Sequence, residues 1–164
     1  MLENYNRAIA LIEQNLNNSD LVYTKFTPVT GEIISDIQKI VKNKFPYTYI
    51  NFLKKFGHLS FGSEEIFGVY GEDLTKSHML KWTLEARNKW HMPSNLVIIH
   101  ELGDGTRDCL QINENDPDKS PVVEYHDPES PVRVIAPDFG TFLLELVEQE
   151  IKFAEEERKL QENS

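Results

Sequence analysis

The chain has 164 residues, 40% of them hydrophobic and 10% aromatic, and a formal net charge of −10. Length and composition together fit one folded globule with a proper core, and exclude a disordered or fibrous chain. The acidic balance disfavours direct nucleic-acid binding, which needs Lys and Arg against phosphate, and favours fast association with a basic partner.

Cys109 is the only cysteine, so no intrachain disulfide can form and nothing points to an oxidising compartment. The first residues, MLENYNR, carry no basic segment followed by a long apolar core, and a signal peptide is not expected. No apolar run approaches the roughly 20 residues that span a bilayer. These features predict a cytoplasmic protein without a membrane segment. Residues 1–154 are expected to form one domain, and 155–164 a charged tail.

In chain order, Tyr5, Ile9, Ile12 and Leu16 fall at helical spacing and predict a first helix over about Glu3 to Leu16. Asn17-Asn18-Ser19-Asp20 stops it. Leu21 to Phe26 reads either as a short edge strand or as a loop that carries Val22 and Phe26 inward. Thr30 stands as the N-cap of a second helix, whose stripe is Ile33, Ile34, Ile37, Ile40 and Val41. In the third, Pro46 suits the first helical position, Tyr49, Phe52, Leu53 and Phe56 share a face, and Gly57 ends it.

Glu64 to Tyr70 predicts a short strand. Leu74 to Trp90 is helical by composition, with a weaker stripe of Leu80, Leu84 and Trp90, and Pro93 closes it. Leu96-Val97-Ile98-Ile99 and Arg107 to Ile112 are strand patterns around Gly103-Asp104-Gly105, which predicts a hairpin with a bulge or longer turn. Alternation sets Cys109 against Leu110 and Ile112, so this pair is expected to be half buried. Asn113 to Ser120 is a polar loop. Pro121 to Tyr125 and Val132 to Ile135 are two more strands, joined by His126-Asp127-Pro128-Glu129-Ser130-Pro131. Asp138 is the expected N-cap of the last helix, whose apolar face runs from Phe139 through Phe142, Leu143, Leu146 and Val147 to Ile151. Past Ala154 the sequence is charged or polar apart from Leu160, and the helix is expected to fray there. The order gives an α+β fold: a mainly antiparallel sheet of about four to six strands, covered by N-terminal, middle and C-terminal helices.

Candidate chemistry is sparse. Gly103-Asp104-Gly105 leads to a strand rather than a helix, so it is turn geometry and not a phosphate cradle. Cys109 is a small core residue, with only Arg107 near enough to lower its pKa. The five histidines (His58, His78, His91, His100 and His126) show no HxxxH or HxH spacing that would suggest a metal. Asn113, Asn115, Asp116 and Asp118 resemble a calcium loop in composition only, because the turn glycine and distal glutamate are out of place. His126-Asp127 has no nucleophile to serve and reads as a turn before Pro128. No catalytic residue, cofactor or metal is assigned. Glu64, Glu65, Glu72 and Asp73 flank the first strand; Glu101, Asp104, Asp108, Glu114, Asp116 and Asp118 surround the hairpin. They read as ordinary solvated loops or, where the sheet gathers them at one edge, as a docking face for a basic protein. Trp82 or Trp90 would be a binding anchor or buried core.

From about Val29 to Glu150 the chain resembles the SUKH superfamily of bacterial immunity proteins and fungal cell-wall regulators. FPYTYINFLKKFG (Phe45–Gly57) is similar to that family's Leu-Pro, aromatic-rich helix ending in Gly, and IFGVYG (Ile66–Gly71) follows it. PSNLVIIHELGDGTRDCLQI (Pro93–Ile112) resembles its strand, Gly-rich turn and strand. SPVVEYH (Ser120–His126) and IAPDFGTFLLEL (Ile135–Leu146) resemble its late strand and closing helix. Phe45 replaces a leucine, and Ala136-Pro137-Asp138 replaces a serine-bearing helix start, yet both keep a capped apolar helix. The resemblance implies a non-enzymatic protein that binds and occludes a cognate bacterial polymorphic toxin, of nuclease type with a basic substrate channel. A regulatory scaffold binding a cellular protein is the alternative it implies.

Overall fold

Three local signals start and stop the helices. The computed structural model describes residues 2–22, 25–126, 128, 130 and 132–164. The first helix, α1, spans Leu2–Gln14 and buries Tyr5, Ala8, Ile9 and Ile12. Thr30 caps α2 (Gly31–Val41) by accepting from the Ile33 N–H, and Ile34, Ile37 and Val41 face inward. Ile40, expected in that stripe, is exposed. Helix α3 (Tyr47–Phe56) ends at Gly57, whose φ is 69°. A side chain there would strike the carbonyls of Thr27 and Val69, so only glycine fits. Pro46 itself is the N-cap and carries no capping side chain. Asp118, far along the chain, fills that role by accepting from the Tyr47 N–H at 2.7 Å. Asp138 caps the closing helix α5 (Phe139–Glu162) through the Thr141 N–H.

Tyr49, Phe52 and Phe139 pack ring against ring, with centroids 5.1 to 5.8 Å apart. The Tyr49 hydroxyl donates to the Phe67 carbonyl at 2.7 Å, which satisfies the one polar atom this cluster buries. Helix α1 lies along α5, joined by Asn4 to Thr141 and Arg7 to Glu148.

The strands form two antiparallel sheets. A hairpin of β1 (Leu59–Phe61) and β2 (Glu64–Ile66) makes one, and β3 (Leu96–Glu101), β4 (Arg107–Gln111), β5 (Val122–Tyr125) and β6 (Arg133–Ala136) make the other in that order. The predicted strand over Glu64 to Tyr70 is thus shorter than expected, and its partner β1 was not foreseen. Three-residue strands carry too little alternation to be seen in sequence. The predicted strand-or-loop over Leu21 to Phe26 falls partly outside the described residues, at Tyr23 and Thr24; the rest of it is not strand.

The central hairpin is buried on both faces, not one. Leu96 through His100 are all buried, as are Asp108, Cys109 and Leu110. Its outer edge is closed as well. The Ile98 N–H donates to Thr83 Oγ1, Arg87 donates to the Leu96 carbonyl, and the Phe67 N–H donates to the Ile99 carbonyl. Helix α4 (His78–Trp90) therefore packs on β3 through Met79, Leu80, Thr83 and Ala86. Leu84 and Trp90, expected to face inward, are exposed. A single 3-10 turn, Leu74–Lys76, precedes α4, so the predicted helix starts four residues late. Helix α5 runs unbroken through Glu162, where fraying after Ala154 was expected.

An acidic cleft floored by a buried histidine

One irregularity in the central hairpin positions the site. Ile98 pairs with Cys109, but the next paired residue is His100, opposite Asp108. Ile99 is the extra residue of a bulge, and bulges re-aim the side chains that follow them. In an unbroken register Ile99 would stand opposite Asp108, and His100 would stand one step nearer the turn. The bulge sets the imidazole against the carboxylate.

His100 is buried, with an acid on each ring nitrogen. Nδ1 lies 2.7 Å from Asp108 Oδ2 and Nε2 lies 2.5 Å from Glu64 Oε2. Burial works against a charged ring. Hydrogen bonds to Asp108 and Glu64, and their charges, outweigh it and hold the imidazole's pKa above the usual histidine value. Only the imidazolium can donate from both nitrogens at once. Asp108 is itself buried, and its Oδ1 has no hydrogen-bond partner among the described residues.

Above this floor opens a cleft of about 500 Å³. Glu101, Leu102 and Gly103 of the β3–β4 hairpin, Ser63 and Glu64 of the β1–β2 hairpin, and Ile135 of β6 line it. The far wall is one face of α5, with Phe142, Glu145, Leu146, Gln149 and Glu150 at helical spacing. The Phe142 ring stands 5.9 Å from that of His100. Glu150 is buried and accepts from the Ser63 N–H at 2.7 Å and its hydroxyl at 3.1 Å, which ties α5 to the β1–β2 turn. Gly62 leaves room for that carboxylate; a side chain there would collide with it.

The acidic positions singled out from sequence divide. Glu64, Glu101 and Asp108 come together in the cleft. Asp108 does not present a free charge as a docking face would require, because it is buried against His100. Asp104 sits at the hairpin tip, where its Oδ1 accepts from the Thr106 N–H. Glu114, Asp116 and Asp118 lie at the opposite end of β4, beyond Gln111; Asp116 pairs with Lys119 and Asp118 caps α3. Glu72 and Asp73 occupy the turn before α4, where Asp73 caps Leu74–Lys76 and pairs with Lys76. Ten carboxylates do not make one face. Glu145 and Glu150, which complete the cleft, were missed in sequence; their i, i+3, i+4 spacing with Phe142 and Leu146 was the available signal.

Glu65, next to Glu64, turns to the other side of β2 and meets a different group. Its Oε1 lies 2.7 Å from His58 Nε2, out of line for a hydrogen bond, and 3.7 Å from His78 Nδ1. The Tyr70 hydroxyl donates to it at 3.2 Å. Burial pushes the His58 pKa below its usual value despite Glu65, and His78 adds to that. Burial and then Glu65 push Tyr70 up to about 12.

Cys109 is buried on the other face of β4 from Asp108, and burial raises its thiol pKa far above the ordinary range. Ser63 donates to Glu150 rather than to an imidazole. Among the described residues no three His, Cys, Asp or Glu side chains are placed to hold a metal ion. Asn113 Oδ1 accepts from the Asn115 and Asp116 N–H groups, a local turn in the loop that resembled a calcium site. The His126-Asp127 pair falls partly outside the described residues. Trp82 packs partly buried against the core, and Trp90 lies exposed under the Arg107 guanidinium at 4.9 Å.

The described residues thus form an α+β domain with a carboxylate-lined recess beside its last helix. The model for SUKH_6, described as SMI1-KNR4 cell-wall, matches residues 32–143, from the start of α2 into α5. The chain belongs to that family, which is generally non-enzymatic, includes immunity proteins and suggests a protein partner. No curated protein matches the chain. No helix among the described residues is long and apolar enough to cross a membrane.

Proposed function

We propose that this protein is an immunity protein that works in the bacterial cytoplasm by binding a cognate polymorphic toxin and covering its active site. The toxin is of nuclease type, with a basic channel for phosphate. The observation that carries this reading is the carboxylate-lined cleft, to whose lining Glu64, Glu101 and Glu145 contribute, in a chain of net charge −10. Carboxylates presented where a nuclease expects phosphates would occupy its channel and speed the encounter. Family membership supports a protein partner, and the absence of an assembled nucleophile among the cleft residues suits occlusion rather than chemistry.

The test is co-expression with the toxin domain encoded beside this chain. Survival, with a complex that forms more slowly as salt rises, supports the reading; continued killing refutes it. The family's cell-wall association favours a second reading, a regulatory scaffold for a cellular protein. Recovery of one endogenous partner from a strain without any toxin locus would favour that reading instead.

A further inference from the structure

Strand register sets a row of charges across one face of the four-stranded sheet. His100 pairs with Asp108, Asp108 with Glu124, and Glu124 with Arg133, and directly opposed residues share a face. Glu64 of β2 extends the row past His100. His100 is held by Glu64 and by Asp108 Oδ2, and Arg133 donates to Glu124 Oε2 at 2.6 Å. The row therefore carries one more acid than it has cations, and the surplus falls where Asp108 and Glu124 stand directly opposed. Like charges so placed are destabilising. Asp108 Oδ1 marks the same spot. The residue lines the cleft and is only 4% exposed, and that oxygen has no hydrogen-bond partner among the described residues. A buried acceptor with no donor is uncommon enough to call for one from outside.

Resting on the proposed function, we infer that the floor of the cleft takes the terminal ammonium of a lysine side chain of the protein partner, which donates to Asp108 Oδ1. Oδ2 is already committed to His100, so a guanidinium cannot grip both oxygens of this carboxylate with its planar fork. An ammonium is a compact point charge with rotatable donors, and a single acceptor can hold it. Leu102, Ile135, Phe142 and Leu146 give the cleft an apolar lining that suits the unbranched hydrocarbon stem behind that charge. One contact then satisfies the buried oxygen and cancels the surplus charge of the row.

Titrating isotope-labelled protein with acetyl-Gly-Lys-Gly-amide tests this by NMR, with the arginine and norleucine peptides of the same form run beside it. The lysine peptide should saturate with a Kd on the order of 1 mM, a small-ligand affinity. Its shifts should centre on His100, Asp108 and Phe142, and its ε-methylene protons should show NOE contacts with the Phe142 ring. The arginine peptide should bind at least about threefold more weakly, having no bidentate contact to make. Norleucine, the stem without the charge, should not bind measurably. Asp108→Asn should lose about tenfold or more, in keeping with one charged hydrogen bond. Glu32→Gln removes the same charge from α2, away from the cleft, and should bind as the parent does. Unchanged thermal unfolding shows that each variant keeps its fold; if Asp108→Asn does not, the three peptides on the parent protein decide alone. Equal binding of lysine and arginine peptides, equal weakening in the two variants, or shifts centred elsewhere would each overturn the assignment. Toxin neutralisation that survives a folded Asp108→Asn would remove the anchor and leave the proposed function standing. Peptide binding as expected without neutralisation by the parent protein would keep the ammonium site and refute the function.

Discussion

Glu64 and Glu65 are neighbours on β2, yet each addresses a different buried histidine and the two histidines respond in opposite directions. Successive strand residues point to opposite sides, so one glutamate enters the cleft and the other turns toward Tyr70 and His78. His100 has an aligned acid on each nitrogen, and its charge is held in spite of burial. His58 has one half-exposed acid set out of line, a stacked Tyr70 ring at 4.4 Å, and a second histidine close by. There burial prevails and the neutral ring is favoured. A buried imidazole's state thus follows from the number and alignment of its acids, and the depth of burial alone does not decide it.

The sharpest way to break this contrast is Asp108→Ala. It strips a buried ion pair of one partner and should cost about 3 kcal/mol in urea unfolding, while the His100 pKa falls. Glu64→Gln removes the more exposed acid and should cost about 1 kcal/mol in the same assay, with a smaller fall in that pKa. The pH dependence then separates the two histidines. His100, with its folded pKa raised, contributes stability that is complete below the unfolded value of about 6.5 and is lost as pH rises through the folded one. His58, with its folded pKa lowered, contributes stability that is complete above about 6.5 and is lost as pH falls. The stability difference between the parent protein and His100→Gln should therefore be larger at pH 5.5 than at pH 8, and that for His58→Gln should be larger at pH 8. The reverse order in either variant would contradict the assignment. The mildest change is Glu65→Gln, about 0.5 kcal/mol because that side chain is half exposed, with a further drop in the His58 pKa measured from its ring proton shifts.

What could be read from the chain was the chemistry that acts over a few residues. Thr30, Gly57 and Asp138 marked helix ends, and each performs that role. The four-stranded sheet followed from alternation and turn residues. In helix α4 Leu80 faces inward as expected but Leu84 and Trp90 do not, because its contact with β3 is made by Thr83 and Ala86 as well as by Met79 and Leu80. Small and polar residues leave no apolar stripe to follow. The cleft was harder still. It depends on a bulge at Ile99 that no pattern announces, on a glutamate 36 positions from its histidine, and on α5 carboxylates hidden among core residues. Counting acidic residues found Glu64, Glu101 and Asp108, and could not separate them from Glu114 and Asp116 at the other end of the strand.

The bond from the Tyr47 N–H to Asp118 spans 71 positions of chain. It makes the loop after β4 a latch on the aromatic helix, so the two ends of the molecule's midsection must be assembled together. A fusion or label placed between Asn113 and Ser120 would open the latch and loosen α3 from its first turn. The hairpin tip at Gly103-Asp104-Gly105 secures no distant helix in this way, and a tag there would leave the aromatic core intact while sitting beside the recess it could report on.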